Sequence, residues 1–290
     1  MPDNFLTSNG TLKNIARATT PDELASAEER AVPQRRRQLF LAPPMPWTFD
    51  KAHLLAIHRH LFQDIFEWAG RTRDEKIRLS DKTVATMPVM MKVGGQPFAN
   101  GIEIIRELTS LFRDLRDDKF LTGLSRDDFA NKAADTFSHL NAIHPCREGN
   151  GRTQRAFIET LAISAGHKLD FSVVSTERNI DVSIRSHQAG DADAMRRLFR
   201  EIVAPERVAQ LRLAQDSLDK AGFAWRDNYM ATLEPGRRYD NLTFVAAVGD
   251  QFMARTADQI LIGRRADLPT PPPTRGQAFS IVATAFPAHS

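Results

Sequence analysis

The run His144-Pro145-Cys146-Arg147-Glu148-Gly149-Asn150-Gly151-Arg152-Thr153-Gln154-Arg155 decides how the rest of the chain is read. Ahead of it, Phe129, Ala133, Phe137 and Leu140 recur at helical spacing behind a Ser125-x-x-Asp128 start signal. Behind it, Thr153 to Ala165 is apolar on several faces, as a central helix would be, with Gly166 as its stop. The run is therefore a loop joining two helices. Gly149 and Gly151 let the backbone turn tightly and aim N–H groups inward where the second helix begins, which is a natural anion site. Phosphate is the obvious guest. Glu148 offers a hard oxygen to a Mg²⁺ that bridges phosphate oxygens. Arg152 and Arg155, three apart, share a helix face and can grip further phosphates with paired N–H bonds. His144 ends the first helix and suits the removal of a hydroxyl proton, its ordinary pKa being about 6.5. Each residue alone has a plainer reading, a packed histidine or a solvated arginine face. Six specified residues at six set positions, His, Glu, Gly, Asn, Gly and Arg, arise by chance on the order of once in 10⁸ tries, so the plain readings do not explain the set.

Helical periodicity extends outward from this loop. Thr20-Pro21-Asp22-Glu23 starts a helix expected to run to about Val32. After the prolines at 43, 44 and 46, Leu54, Leu55, His58, Leu61, Phe62, Ile65 and Phe66 predict a long half-buried helix ended by Gly70. From Ile77 to Phe98 the period disappears and Gly94-Gly95 supplies turn residues, so a β-hairpin or flap is expected. Ile102, Ile105, Leu108 and Phe112 restore the helix. Beyond about Ala221 the texture alternates, with strands expected at 229–233, 242–248, 251–255, 259–263 and 278–284. The fold expected is mainly α, a helical bundle with a hairpin flap over 1–204, followed by a small all-β barrel over 205–290.

The motif closely resembles that of the Fic family, HxFx(D/E)GNGRxxR. IHRHLFQDIFEWAGRTR at 57–73 is similar to the family's long helix, QPFANGIEI at 96–104 to the end of its flap, and TLKN at 11–14 to its N-terminal segment. Residues from 206 to about 286 resemble the OB-fold region that follows Fic in Bartonella-type effectors and related conjugative toxins. The resemblance implies a protein adenylyltransferase. His144 is then the base that deprotonates a Ser, Thr or Tyr hydroxyl, which attacks the α-phosphorus of ATP and expels pyrophosphate. Glu148 holds Mg²⁺, Gly149, Asn150 and Gly151 bind the α- and β-phosphates, and Arg152 and Arg155 steady the γ-end. The flap, through Lys92, Val93 and Phe98, holds the target protein as an added strand. Cys146 stands where the family has Phe, which puts the loop's packing in question.

The resemblance also implies a form of control. Many members are restrained by a helix bearing [S/T]xxxE[G/N], whose Glu pairs with the second motif arginine, here Arg155. The only Glu followed by Gly or Asn is Glu148, in the loop itself, so two expectations stand: a separate small antitoxin-like protein supplies the brake, the favoured reading, or the chain has no such brake. Composition narrows the remainder. Hydrophobic residues at 42% and charged residues at 26% fit a folded chain, and one cysteine leaves no disulfide or thiolate zinc cluster. No stretch approaches the roughly 20 apolar residues of a membrane span, and no secretory signal opens the chain, so the expected place is the cytoplasm where it is made. Export into a host or recipient cell by a type IV system is the alternative that the resemblance adds. A net charge of +3 announces no nucleic-acid binder, and Arg35-Arg36-Arg37 reads as a solvated face. Two other functions stay open: transfer of a γ-phosphoryl group or a different nucleotide on the same scaffold, and nucleic-acid binding. The second would use Trp225, Tyr229, Phe244 and Phe252 to stack bases, with Arg237, Arg238, Arg264 and Arg265 on phosphates.

Overall fold

Thr20 caps the first helix, its hydroxyl accepting the Glu23 N–H at 3.2 Å, and Pro21 occupies the first turn where its missing N–H costs nothing. The helix, α1 (Pro21–Leu41), does not stop near Val32 as expected but passes through Pro33. Tertiary contacts outweigh the proline. Leu39 is fully buried, Arg35 grips Asp64 through Nε and Nη2 at 2.6 and 2.8 Å, and Arg36 grips the Glu159 carboxylate at 2.6 and 2.7 Å. Arg36 and Arg37 are exposed and Arg35 is half-buried, so the run lies on the surface as expected, and two of its guanidiniums also pair with distant carboxylates. Its partners lie far away in sequence, so no local pattern could show them.

The computed structural model describes residues 4–91, 97–188 and 191–288. Its contacts divide the chain into two compact units, Met1–Ser125 with Lys132–His167, and Arg126–Asn131 with Lys168–Ser290. The first holds α1, α2 (Lys51–Phe62), the two-residue antiparallel strands β1 (Ile77–Arg78) and β2 (Val84–Ala85), α3 (Gly101–Asp117), most of α4 (Arg126–Ile143) and α5 (Asn150–Ser164). Its core gathers around α5: Ala156, Phe157, Ile158, Leu161 and Ala162 are buried with Leu54, Ile57 and Leu61 of α2 and Ile104 and Leu108 of α3. Each fully buried Leu, Ile or Phe contributes roughly 1.5–3 kcal/mol relative to exposure. The helix α2 ends at Phe62, earlier than expected; hydrogen-bonded turns carry Ile65, Phe66 and Trp68 into the core as far as Gly70, whose φ is 85°.

The second unit contains α6 (Thr176–Gln188), α7 (Ala192–Ile202), α8 (Pro205–Lys220) and one five-stranded sheet. The strands β3 (Tyr229–Thr232), β4 (Arg238–Val248), β5 (Gln251–Arg255), β6 (Gln259–Arg264) and β7 (Ala278–Val282) fall close to their expected positions. Their order is β3-β6-β5-β4-β7, with only β3 and β6 parallel, and the sheet is not closed into the expected barrel. Closure would need the outer edge of β3, and side chains already occupy it. Arg178 donates to Met230 O at 3.0 Å, Glu201 Oε1 accepts from the Thr232 N–H at 2.5 Å, and Arg207 donates to Thr232 O at 3.4 Å. Arg178 and Glu201 form a buried ion pair that keeps both charged. Such an edge is blunted rather than paired. Trp225 and Phe252 are buried, which removes two of the four aromatics from any base-stacking surface.

Candidate active site

The loop takes its shape from the ends of two helices. At the end of α4 the His144 N–H still donates to Leu140 O at 3.0 Å, but φ of 49° turns the chain away. Asn150, the first residue of α5, folds its amide back on the loop: Oδ1 accepts the Cys146 N–H at 2.8 Å and Nδ2 donates to Cys146 O at 2.7 Å. The Asn150 side chain therefore closes the loop, and its backbone N–H is one of the first-turn groups that lack an intrahelical acceptor. Cys146 is buried, and desolvation pushes its thiol well up, so it stays protonated and is no nucleophile. The helix α5 starts three residues before the expected Thr153, which puts Gly151 inside its first turn.

The two glycines have different duties. Gly149 has φ of 80°, and a Cβ there would lie 2.4 Å from the Phe62 ring, so the fold itself demands glycine. At Gly151 a Cβ would meet only Arg155 Nη1 at 3.5 Å, an ordinary contact. Nothing in the packing demands glycine there, and its missing side chain keeps the N-terminus of α5 open beside a guanidinium. Arg152 lies 4.7 Å over the Phe62 ring, pairs with Glu28 of α1 at 2.5 Å, and approaches Glu148 at 3.7 Å. Glu28 was not anticipated, and only the packing of α1 brings it here. Arg155 is half-buried, and no carboxylate of the described residues is at ion-pair distance from it; the field of Glu159 partly offsets its desolvation.

Glu148 stands at the rim with its side chain 43% exposed, Oε1 accepting the Gly149 N–H at 2.9 Å. It offers a carboxylate to a cation, and among the described residues no group of three His, Cys, Asp or Glu could hold a metal. That chemistry fits Mg²⁺, which keeps most of its shell as water and phosphate oxygen. The carbonyl of Glu148 accepts from Nε2 of His58 at 3.0 Å, while Nδ1 of the same ring accepts the Gly70 N–H at 2.7 Å. His58 is fully buried, and these two bonds fix one neutral tautomer. Its only sequence signal is a histidine within the apolar stripe of α2.

Burial pushes His58 down to about 4. The unfolded chain takes up that proton near the ordinary value of 6.5 and the folded chain only near 4, so between them the unfolded state binds more protons. His58 alone should therefore withdraw about 3 kcal/mol of stability as pH drops from 7 through 4. Urea unfolding of wild type and His58→Gln at both pH values checks this, the variant lacking that share of the loss.

The aromatic face of the site comes from the base of the flap. Phe98 stacks on the His144 ring with centroids 4.0 Å apart and planes 16° from parallel. The arms on either side of the flap pair through Met91 and Pro97, and Phe98 N–H donates to Met90 O at 3.0 Å. Lys92 and Val93, like Gly94 and Gly95, lie outside the described residues. The structure thus brings His144, Phe98, Glu148, the start of α5 and both motif arginines around one loop.

A sequence model of the Fic/DOC family matches residues 48–162. The chain is 37% identical over 226 residues, 78% of its length, to a protein adenylyltransferase of Bartonella henselae, and spans 41% of the length of that relative. Among solved structures, the type IV secretion system effector protein BepA superposes with a TM-score of 0.89 at 31% identity, covering 99% of this chain and 98% of that one. The N-terminal Fic domain of a Bartonella quintana effector with bound ADP superposes at 0.67 and 41% identity, over 69% of this chain and 94% of that one. By motif, fold and relatives alike, the chain belongs to the Fic/DOC family.

Proposed function

We propose that this chain transfers the AMP part of ATP to a Ser, Thr or Tyr hydroxyl of another protein. The proton of the hydroxyl passes to His144, its oxygen bonds to the α-phosphorus, and the bond from that phosphorus to the bridging oxygen breaks, releasing pyrophosphate. First-turn N–H groups of α5 cradle the phosphates and Arg155, with Arg152, takes the terminal charge. Glu148 is the protein's one ligand for a Mg²⁺, which when bound neutralises phosphate charge. Gly151 carries the reading: an opening that the fold does not need, at a helix N-terminus, beside the half-buried Arg155, which has no carboxylate at ion-pair distance among the described residues. A relative with bound ADP and curated relatives called adenylyltransferases support the same chemistry.

ATP labelled at either the α- or the γ-phosphate, incubated with the protein and a lysate, tests the reaction. Label should pass to protein from the α position only; transfer from γ alone would replace AMP transfer with phosphorylation. Gly151→Ala should leave the melting temperature unchanged or slightly raised, alanine being the better helix former, yet weaken ATP binding by about tenfold or more. Unchanged affinity by calorimetry would remove α5 from the phosphate site.

The target docks at the flap. Val89 and Met91 on the entering arm and Ile102 at the start of α3 are exposed apolar side chains there, suited to a partner held as an added strand. Within the chain, residues 1–204 are the catalytic segment and 205–290 an accessory, OB-like one. A separate small protein that brings a glutamate to Arg155 is the proposed brake, since Glu28 already occupies Arg152 and Arg155 is left for a partner. The chain is made in the cytoplasm, and its likeness to BepA supports export by a type IV system.

A further inference from the structure

Arg73 follows the turn at Gly70 and is 1% exposed. Its five N–H donors all meet backbone carbonyls. Nε donates to His144 O at 2.9 Å, Nη1 to Met87 O at 3.0 Å and Pro88 O at 2.9 Å, and Nη2 to Ala99 O and, at 3.5 Å, to Ile143 O. The backbone of Arg73 joins the same set, its N–H donating to Pro145 O at 2.8 Å and its carbonyl accepting the Met87 N–H at 2.6 Å. No carboxylate among the described residues forms an ion pair with it. Burial pushes its pKa down to about 10, which leaves it charged at neutral pH.

Those carbonyls belong to three segments: the end of α4 that carries the base, the arm entering the flap, and the arm leaving it. The arms are tied to each other by Phe98 N–H to Met90 O and Gly101 N–H to Pro88 O, both 3.0 Å, and to α4 by Ala99 N–H to Ala142 O at 3.2 Å. At the end of α4, carbonyls without intrahelical donors and the negative end of the dipole both favour a cation. His144 itself is held at φ of 49°, a left-handed conformation that strains any residue with a side chain, and the bond to its carbonyl helps hold it there.

We propose that Arg73 is a positioning residue for the transfer reaction: it locks the aim of His144 to both roots of the flap, so that the base and the hydroxyl held by the flap keep one register. This rests on the AMP-transfer reading above. A misplacement of about 1 Å between reacting groups costs on the order of a hundredfold in rate, so a clamp on both partners acts on the chemical step rather than on ATP. Lysine cannot replace it, because three donors at one point do not reach five carbonyls on three segments.

The test uses the full chain as Arg73→Lys and Arg73→Ala, with α-labelled ATP, one fixed lysate as acceptor, and amide hydrogen exchange on the chain alone. In Arg73→Lys the rate at saturating ATP should fall by about tenfold or more while KM for ATP stays within about twofold. The amides of Met87, Ala99 and His144 should exchange faster by about tenfold or more. Millimolar methylguanidinium should restore transfer to Arg73→Ala; if that variant does not fold, Arg73→Lys decides alone. Wild-type rate and protection in Arg73→Lys would overturn the proposal, and so would a loss of ATP binding in step with rate, which marks general unfolding of the site. If the wild type transfers no α-label, the reaction reading fails, and amide exchange still decides whether Arg73 couples base and flap.

Discussion

Replacing His144 by alanine should lower AMP transfer by roughly 10²–10⁴-fold, the usual share of a positioned general base, while ATP affinity stays within about twofold. The split follows from position. The imidazole ends α4, stacked on Phe98 of the flap base, whereas the phosphate-binding groups sit at the start of α5, across a loop closed by Asn150. In the proposed reaction its work is on the incoming hydroxyl and not on the triphosphate. Removing the ring takes away the proton acceptor and leaves the N-terminus of α5, Glu148 and Arg155 in place. Label transfer and calorimetric ATP titration of the same preparation measure the two quantities. A variant that turns over within about threefold of wild type removes His144 from the proton transfer.

Gly149→Ala should cost about 3–5 kcal/mol of stability and abolish nucleotide binding. Two penalties combine. Alanine at φ of 80° strains the backbone, and its Cβ would sit 2.4 Å from two carbons of the Phe62 ring. That ring cannot step aside cheaply: it is fully buried, 5.0 Å from the His58 ring, and covered by the Arg152 guanidinium at 4.7 Å. Any shift therefore reaches the carbonyl of Glu148 through His58. Thermal unfolding of Gly149→Ala beside Gly151→Ala makes the comparison sharp, since the same methyl two residues later meets no such wall. Equal melting temperatures for the two variants would show that Phe62 yields and that the loop is softer than its packing implies.

The features legible in the sequence share one physical trait, which is that neighbours along the chain determine them. A loop with glycines ahead of a helix, arginines three apart on one face, Thr20 capping Glu23 and alternation over 251–255 all depend on residues within about one turn or one strand. The five strands and the anion-binding junction could therefore be read from spacing. The closed barrel could not be judged that way, because the outer edge of β3 is occupied by Arg178, Glu201 and Arg207, side chains from helices read without reference to the sheet.

By itself, then, the sequence determined the chemistry-bearing loop, the family it resembles, and the order of helices and strands, because propensity and periodicity are local. Tertiary structure alone decided what holds that loop. Arg73 reaches His144 across 71 residues, His58 reaches Glu148 across 90, and Arg36 carries α1 past its proline to Glu159 across 123. Glu28 meets Arg152 only because α1 packs there. Each of these joins a polar group to a distant backbone or charge whose position depends on the packed core, and for Arg73 and His58 burial makes the bond strong and its absence costly.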